Sequence, residues 1–190
     1  MDKSTLISKL SLKYGLTLAA VSVVISLTCH FINPVMLYTN FLAPLGVLVV
    51  FIALLVVVGL NVRKEVGGFW TFGEAFKSYL IIALILAITA VLFNVILMTL
   101  IDPDLPATAA AAIEESQRKM MEGFGMSGEQ VDEALAKAGN MQEKLQPTFK
   151  NSLTSFGVSI AMYGVLSLIL AAILKKKEPV TFNNFQDPTA

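Results

Sequence analysis

"YGLTLAAVSVVISLTCHFINPVMLYTNFLAPLGVLVVFIALLVVVGLNV", residues 14–62, runs for 49 residues between Lys13 and Arg63 without an Asp, Glu, Lys or Arg. A soluble domain carries charge on about a quarter of its residues. This chain has 15% charged and 55% apolar residues among 190, a balance of the membrane class. A hydrocarbon core ~30 Å thick is crossed by about 20 helical residues at ~1.5 Å each. The stretch therefore holds two spans and a turn. The turn is marked by "INPVMLYTNFLAP", where Asn33-Pro34 breaks one helix and Pro44 falls in the first turn of the next.

Two further charge-free runs, Ser78–Ile101 and Asn151–Leu174, are 24 residues each and supply one span apiece. The expected fold is all-α: an integral membrane four-helix bundle with spans near 12–32, 43–62, 76–101 and 151–174. Residues 1–178 form a single membrane domain, and 179–190 are expected to be a disordered cytoplasmic tail. Lys3, Lys9 and Lys13 before an apolar run raise the alternative of a cleaved signal peptide. The apolar part is too long for that, and no small-x-small cleavage site follows. The first helix is expected to be retained.

Charge sets the expected threading. Lys3, Lys9 and Lys13 precede the first span; Arg63, Lys64 and Lys77 lie between the second and third; Lys175, Lys176 and Lys177 follow the fourth. The turn between the first two spans has no Lys or Arg. The positive-inside rule places both termini in the cytoplasm and residues 102–150 outside. That outer segment carries nine acids against five bases. "DPDLPATAAAAIEESQRKMMEG" reads as a helix stopped by Gly123 and Gly125. "SGEQVDEALAKAG" restarts with a capping box of Ser127 and Gln130, and Gly139 closes it. The two helices are expected to fold back as an extracytoplasmic helical hairpin between the third and fourth spans.

Lipid tails give spans no hydrophobic reason to associate, so close packing at small and weakly polar residues must do so. Such residues recur at helical spacing in three spans. The stripes are Gly15, Ala19, Ser22, Ser26, Cys29 and His30; Ala83, Ala87, Ala90, Asn94 and Met98; and Ser152, Ser155, Ser159, Tyr163, Ser167 and Ala171. Asn94 sits deep in its span and needs a partner; an interhelical bond to a Ser or Tyr of the fourth span, or across a dimer, is expected. Asn94, Ser155, Ser159 and His30 are the candidates for interhelical or ligand contacts. His30 and Cys29 are each the only residue of their type, too few to complete a zinc site, and an interfacial His bonded to a carbonyl or head group is expected. Cofactors, metal and nucleic acid are not expected.

"GGFWTFGEAFKSYL", residues 67–80, looks most like an active site. Local physics explains it as a start signal for the third span. Gly67 and Gly68 reverse the chain, Phe69, Trp70 and Tyr79 suit head-group depth, and Thr71 with Glu74 forms a capping box. No P-loop, HExxH, GxSxG or CxxC motif occurs, and no enzyme activity is expected.

"KYGL", "FWTFGEAFKSYLIIALI", "IDPDL", "GMSGEQVDEAL" and "LILAAILKKK", in this order and spacing, resemble a family of Bacteroidota membrane proteins, domain of unknown function 4199, over residues 10–178. The resemblance implies a small four-helix inner-membrane protein and no activity, ligand or catalytic residue. The expected role is that of a non-enzymatic accessory or interaction protein. It would use the 107–146 hairpin on a protein partner, or helix stripes in a homo-oligomer, with the lipid bilayer around it. The alternative is a small transporter or channel subunit for a neutral or apolar solute, which a polar cavity reaching Asn94 would favour. An enzyme acting on a lipid is the third class.

Overall fold

The computed structural model describes residues 2–40 and 42–178, and these contain only helices and their connections. The expected tail, 179–190, lies outside the described residues. The helices are α1 (Lys3–Ile32), α2 (Met36–Thr39), α3 (Leu42–Glu65), α4 (Phe72–Ile96), α5 (Leu105–Gly123), α6 (Gly128–Ala138), α7 (Met141–Leu145) and α8 (Phe149–Leu174). A π-helical turn, Leu97–Ile101, extends α4. α1, α3, α4 with its π turn, and α8 are each long and apolar enough to cross a membrane. They point to a multi-pass membrane protein. α1 starts nine residues before the expected span, because Lys9 and Lys13 are good helix formers that hydropathy discounts. A short helix, α2, fills the expected turn, and α7 adds an unexpected third helix to the outer segment.

α4 is the central helix. It packs along α1 on one side and α8 on the other, while α3 touches α1, α4 and α8 over shorter stretches. Small residues let the three backbones approach: Gly15 and Ala19 on α1, Ala83 and Ala87 on α4, Ser167 and Ala171 on α8. A Cβ built on Gly15 would lie 2.6 Å from Ile85 Cδ1. The core fills the half of the bundle bearing the lysines, with Leu10, Leu18, Val58, Val62, Ile82, Leu86 and Leu170 packed together.

Several polar groups at this basic end bond across helices. The Ser11 hydroxyl donates to the Ile7 carbonyl at 2.7 Å, and the Ser11 and Ser78 hydroxyls bond each other, also at 2.7 Å, tying α1 to α4. Tyr79 Oη donates to the Leu55 carbonyl at 3.2 Å and lies directly over Gly59. Trp70, expected at head-group depth, is 1% exposed and faces protein instead of lipid. Its indole N–H donates to the Leu174 carbonyl at 2.8 Å, beside Arg63 at 3.1 Å. Helices end with carbonyls lacking intrahelical partners, and here side chains 104 and 111 residues away supply them. The Trp70 and Lys176 backbones exchange bonds of 2.9 and 3.0 Å, closing the clasp. Gly67 and Gly68, with φ of 104° and 83°, allow the chain to turn back into it.

The start signal of α4 takes the form expected from its residues. Thr71 N–H donates to Glu74 Oε2 at 2.6 Å and Glu74 N–H donates to Thr71 Oγ1 at 3.3 Å. Lys3 adds an ion pair to the Glu74 carboxylate at 3.1 Å. At the opposite end, Leu97 and Met98 are consecutive yet both buried against Leu105 and Ala109. The π turn brings this about by widening the helix over those residues. α5 and α6 are joined through the Arg118–Asp132 ion pair at 2.6 Å, and Val131 of α6 is fully buried. Gln130 Oε1 accepts the Ser127 N–H at 3.0 Å.

Two substitutions test this packing. A Cβ at Gly59 would fall 1.8 Å from Tyr79 Oη, so Gly59→Ala is expected to cost about 1–3 kcal/mol, read as a lowered thermal transition in nanodiscs. Trp70→Phe keeps most of the ring but removes the indole donor, and should cost about 1 kcal/mol in the same measurement. An unchanged transition in both would refute the clasp.

Candidate functional site

Hydroxyls in apolar helices usually bond back to the carbonyl one turn earlier. Thr17, Thr28, Thr99, Thr154 and Ser167 do so here, at 2.6–3.0 Å. A second set does not. Asn94, Thr89, Ser155, Ser159 and Ser26 have no side-chain hydrogen bond among the described residues, nor have the phenols of Tyr38 and Tyr163. No side-chain polar atom among the described residues is buried without a partner, so these groups reach open space. All but Tyr163, which sits at the boundary against the packed core, lie in the half of the bundle away from the basic end.

That space is three cavities, and Asn94 contributes to the wall of each. The first, about 230 Å³, lies between α4 and α8. It is an open cleft whose wall carries Asn94 with Ser152, Ser155 and Ser159, bordered by Lys144, Gln146 and Pro147. The second, about 350 Å³, lies among α1, α3, α4 and Tyr163 of α8, and Val47, Leu48, Phe51, Leu86 and Phe93 make it mainly apolar. The third, about 120 Å³, runs toward the end of α1 past Ser26, His30, Asn33 and Tyr38. In the basic half, by contrast, the gap beside Tyr79, Leu86 and Leu170 measures only about 10 Å³, room for no more than one water.

The small-residue stripes therefore divide. Gly15, Ala19, Ala83, Ala87, Ser167 and Ala171 are packed between helices. Ser22, Ser26, Ala90, Asn94, Ser155 and Ser159 line cavities. Among the described residues Asn94 makes no interhelical bond, and its amide borders the cavity between α4 and α8. Nearby, Asn151 Nδ2 donates to the Glu143 and Gln146 carbonyls at 2.7 and 2.9 Å and holds the link from α7 to α8 in place.

His30 meets a carboxylate rather than a carbonyl. Its Nε2 lies 3.5 Å from Asp102 Oδ2, with its side chain 11% exposed, and its ring stands edge-on to Phe31. Asp102 follows the π turn, so the pair fastens the end of α4 to the end of α1. Trp70, Thr71 and Glu74 are far from these cavities, at the basic end. Tyr38 and Thr89 belong to the cavity walls without having stood out in the sequence. Tyr38 hides in the turn between two spans and Thr89 among aliphatic neighbours. Burial raises the Tyr38 phenol above its ordinary pKa.

A family model described as "Protein of unknown function (DUF4199)" matches residues 13–176. The chain belongs to this family. The match spans all four apolar helices and the segment between the third and fourth, so the clasp and the cavities both fall within the DUF4199 region. No curated protein and no solved structure matches the chain.

If the Asn94 amide is held by nothing in the protein, then Asn94→Leu should leave the thermal transition within about 1 kcal/mol of the parent. Ser78→Val, which strips a bonded hydroxyl from a packed interface, should cost about 1–3 kcal/mol. Equal losses in the two variants would mean that Asn94 has a partner in the folded chain.

Proposed function

We propose that this DUF4199 protein is a non-enzymatic accessory protein of the bacterial inner membrane, both termini cytoplasmic, which associates with a partner protein through its extracytoplasmic helices. The lysines gathered at the end opposite α5–α7 support the orientation. The observation that carries the role is the outer segment itself. It is a built module, with the buried Val131 and the Arg118–Asp132 ion pair joining α5 and α6, yet it leaves Met120 57% and Phe124 80% exposed where α5 ends. Large, flexible or aromatic side chains of this kind are the usual anchors of protein interfaces.

A second reading, a small transporter or channel subunit for a neutral or apolar solute, is supported by the cavities around Asn94. The packed basic half weighs against a continuous path, since Leu86, Ile82 and Tyr79 fill the centre below them.

The association reading predicts that one protein co-purifies in fixed ratio with the full chain from membranes. The Met120→Ser/Phe124→Ser variant should reduce that recovery by about 30-fold, as expected for losing a ~2 kcal/mol anchor, while membrane insertion and helicity are retained. Undiminished recovery with the variant would overturn it.

A further inference from the structure

We propose that the half of the bundle around Asn94 binds an amphiphile with an uncharged, hydroxyl-rich head. The head occupies the cavity between α4 and α8, and the hydrocarbon chain lies in the cleft among α1, α3 and α4. This goes beyond the association reading and does not depend on it.

Two adjoining spaces of opposite character carry the inference. Ala90 and Asn94 form part of both walls, so the polar cavity and the apolar cleft meet at one point on α4. On the polar side stand the Asn94 amide and the hydroxyls of Ser155 and Ser159, none bonded to protein among the described residues. An amide offers two donors and an acceptor oxygen, and each hydroxyl can both give and accept. Such a set matches the hydroxyls of a polyol, which also do both. Asn94 and Ser155 are exposed to this space, and at membrane depth an exposed amide or hydroxyl needs a polar partner.

Charge argues for an uncharged head. No Asp, Glu or Arg lines either space. The ammonium of Lys144, the one charged group of the polar cavity, already donates to the Ala138 carbonyl. A carboxylate or phosphate head would meet that single tethered ammonium and no Arg or second Lys, short of the paired cationic donors that make such burial favourable. The apolar cleft argues for a chain. Val47, Leu48, Phe51 and Phe93 offer nothing to a free polar solute, but they suit a hydrocarbon tail reaching in from the bilayer. The π turn at Leu97–Ile101 begins three residues beyond Asn94, and π turns recur at functional sites.

The test uses the full chain in phosphatidylcholine nanodiscs with a monoacylglycerol bearing a diazirine in its acyl chain. Saturable photolabelling of the peptides around Phe51 and Phe93 is expected. It should fall about 5-fold in Asn94→Leu and in Ser155→Ala/Ser159→Ala, each checked for a retained thermal transition. Phe124→Ser should label like the parent, which separates this site from the association surface. A fatty acid carrying the same diazirine chain should label at least 5-fold less. Labelling that does not saturate, or that survives both sets of substitutions, would overturn the site. Equal labelling by the fatty acid would overturn the uncharged head, and full competition by free glycerol at the monoacylglycerol concentration would overturn the amphiphile.

Discussion

A hydroxyl or amide surrounded by hydrocarbon must find a hydrogen-bond partner or keep contact with water, and the two ends of this bundle meet that demand in opposite ways. At the basic end the partner is always another part of the chain. Ser11 and Ser78 bond each other, Tyr79 reaches the Leu55 carbonyl, and Trp70 with Arg63 takes up the last carbonyl of α8. Those bonds are possible because glycine and alanine let the backbones close in. Beyond Leu86 the approach relaxes, and the polar groups face space instead.

The division gives the molecule a fixed half and an open half. α4 runs through both, from the Thr71–Glu74 capping box to the π turn, and among the described helices it alone packs at length against two others. Its lower part is a packing surface with alanines. Its upper part, with Asn94, is a cavity wall. The His30–Asp102 pair, the short α2 and α7 helices and the small cluster of Leu97, Met98, Leu105 and Ala109 gather the open half at its outer end.

The stretch that looked most like an active site, residues 67–80, serves the fixed half. Its glycines turn the chain, Thr71 and Glu74 cap α4, and Trp70 locks α8 beneath the loop. The residues that could bind something are plainer ones, serines and an asparagine within aliphatic runs. A single hydroxyl in such a run has the same sequence signature whether it bonds one turn back, as Ser167 does, or opens to a cavity, as Ser155 does.

Length and hydropathy by themselves determined the four apolar helices, because crossing a hydrocarbon layer constrains every residue of a span at once. The caps at Thr71 and Ser127 were equally legible, since a capping box closes within four residues. Tertiary structure alone decided which helix is central, where Trp70 points and that the serine stripe of α8 is packed at Ser167 but open at Ser155. Those outcomes depend on the distance between helices far apart in sequence. No local pattern encodes that distance; it is set by where glycine and alanine on one helix happen to meet their counterparts on the next.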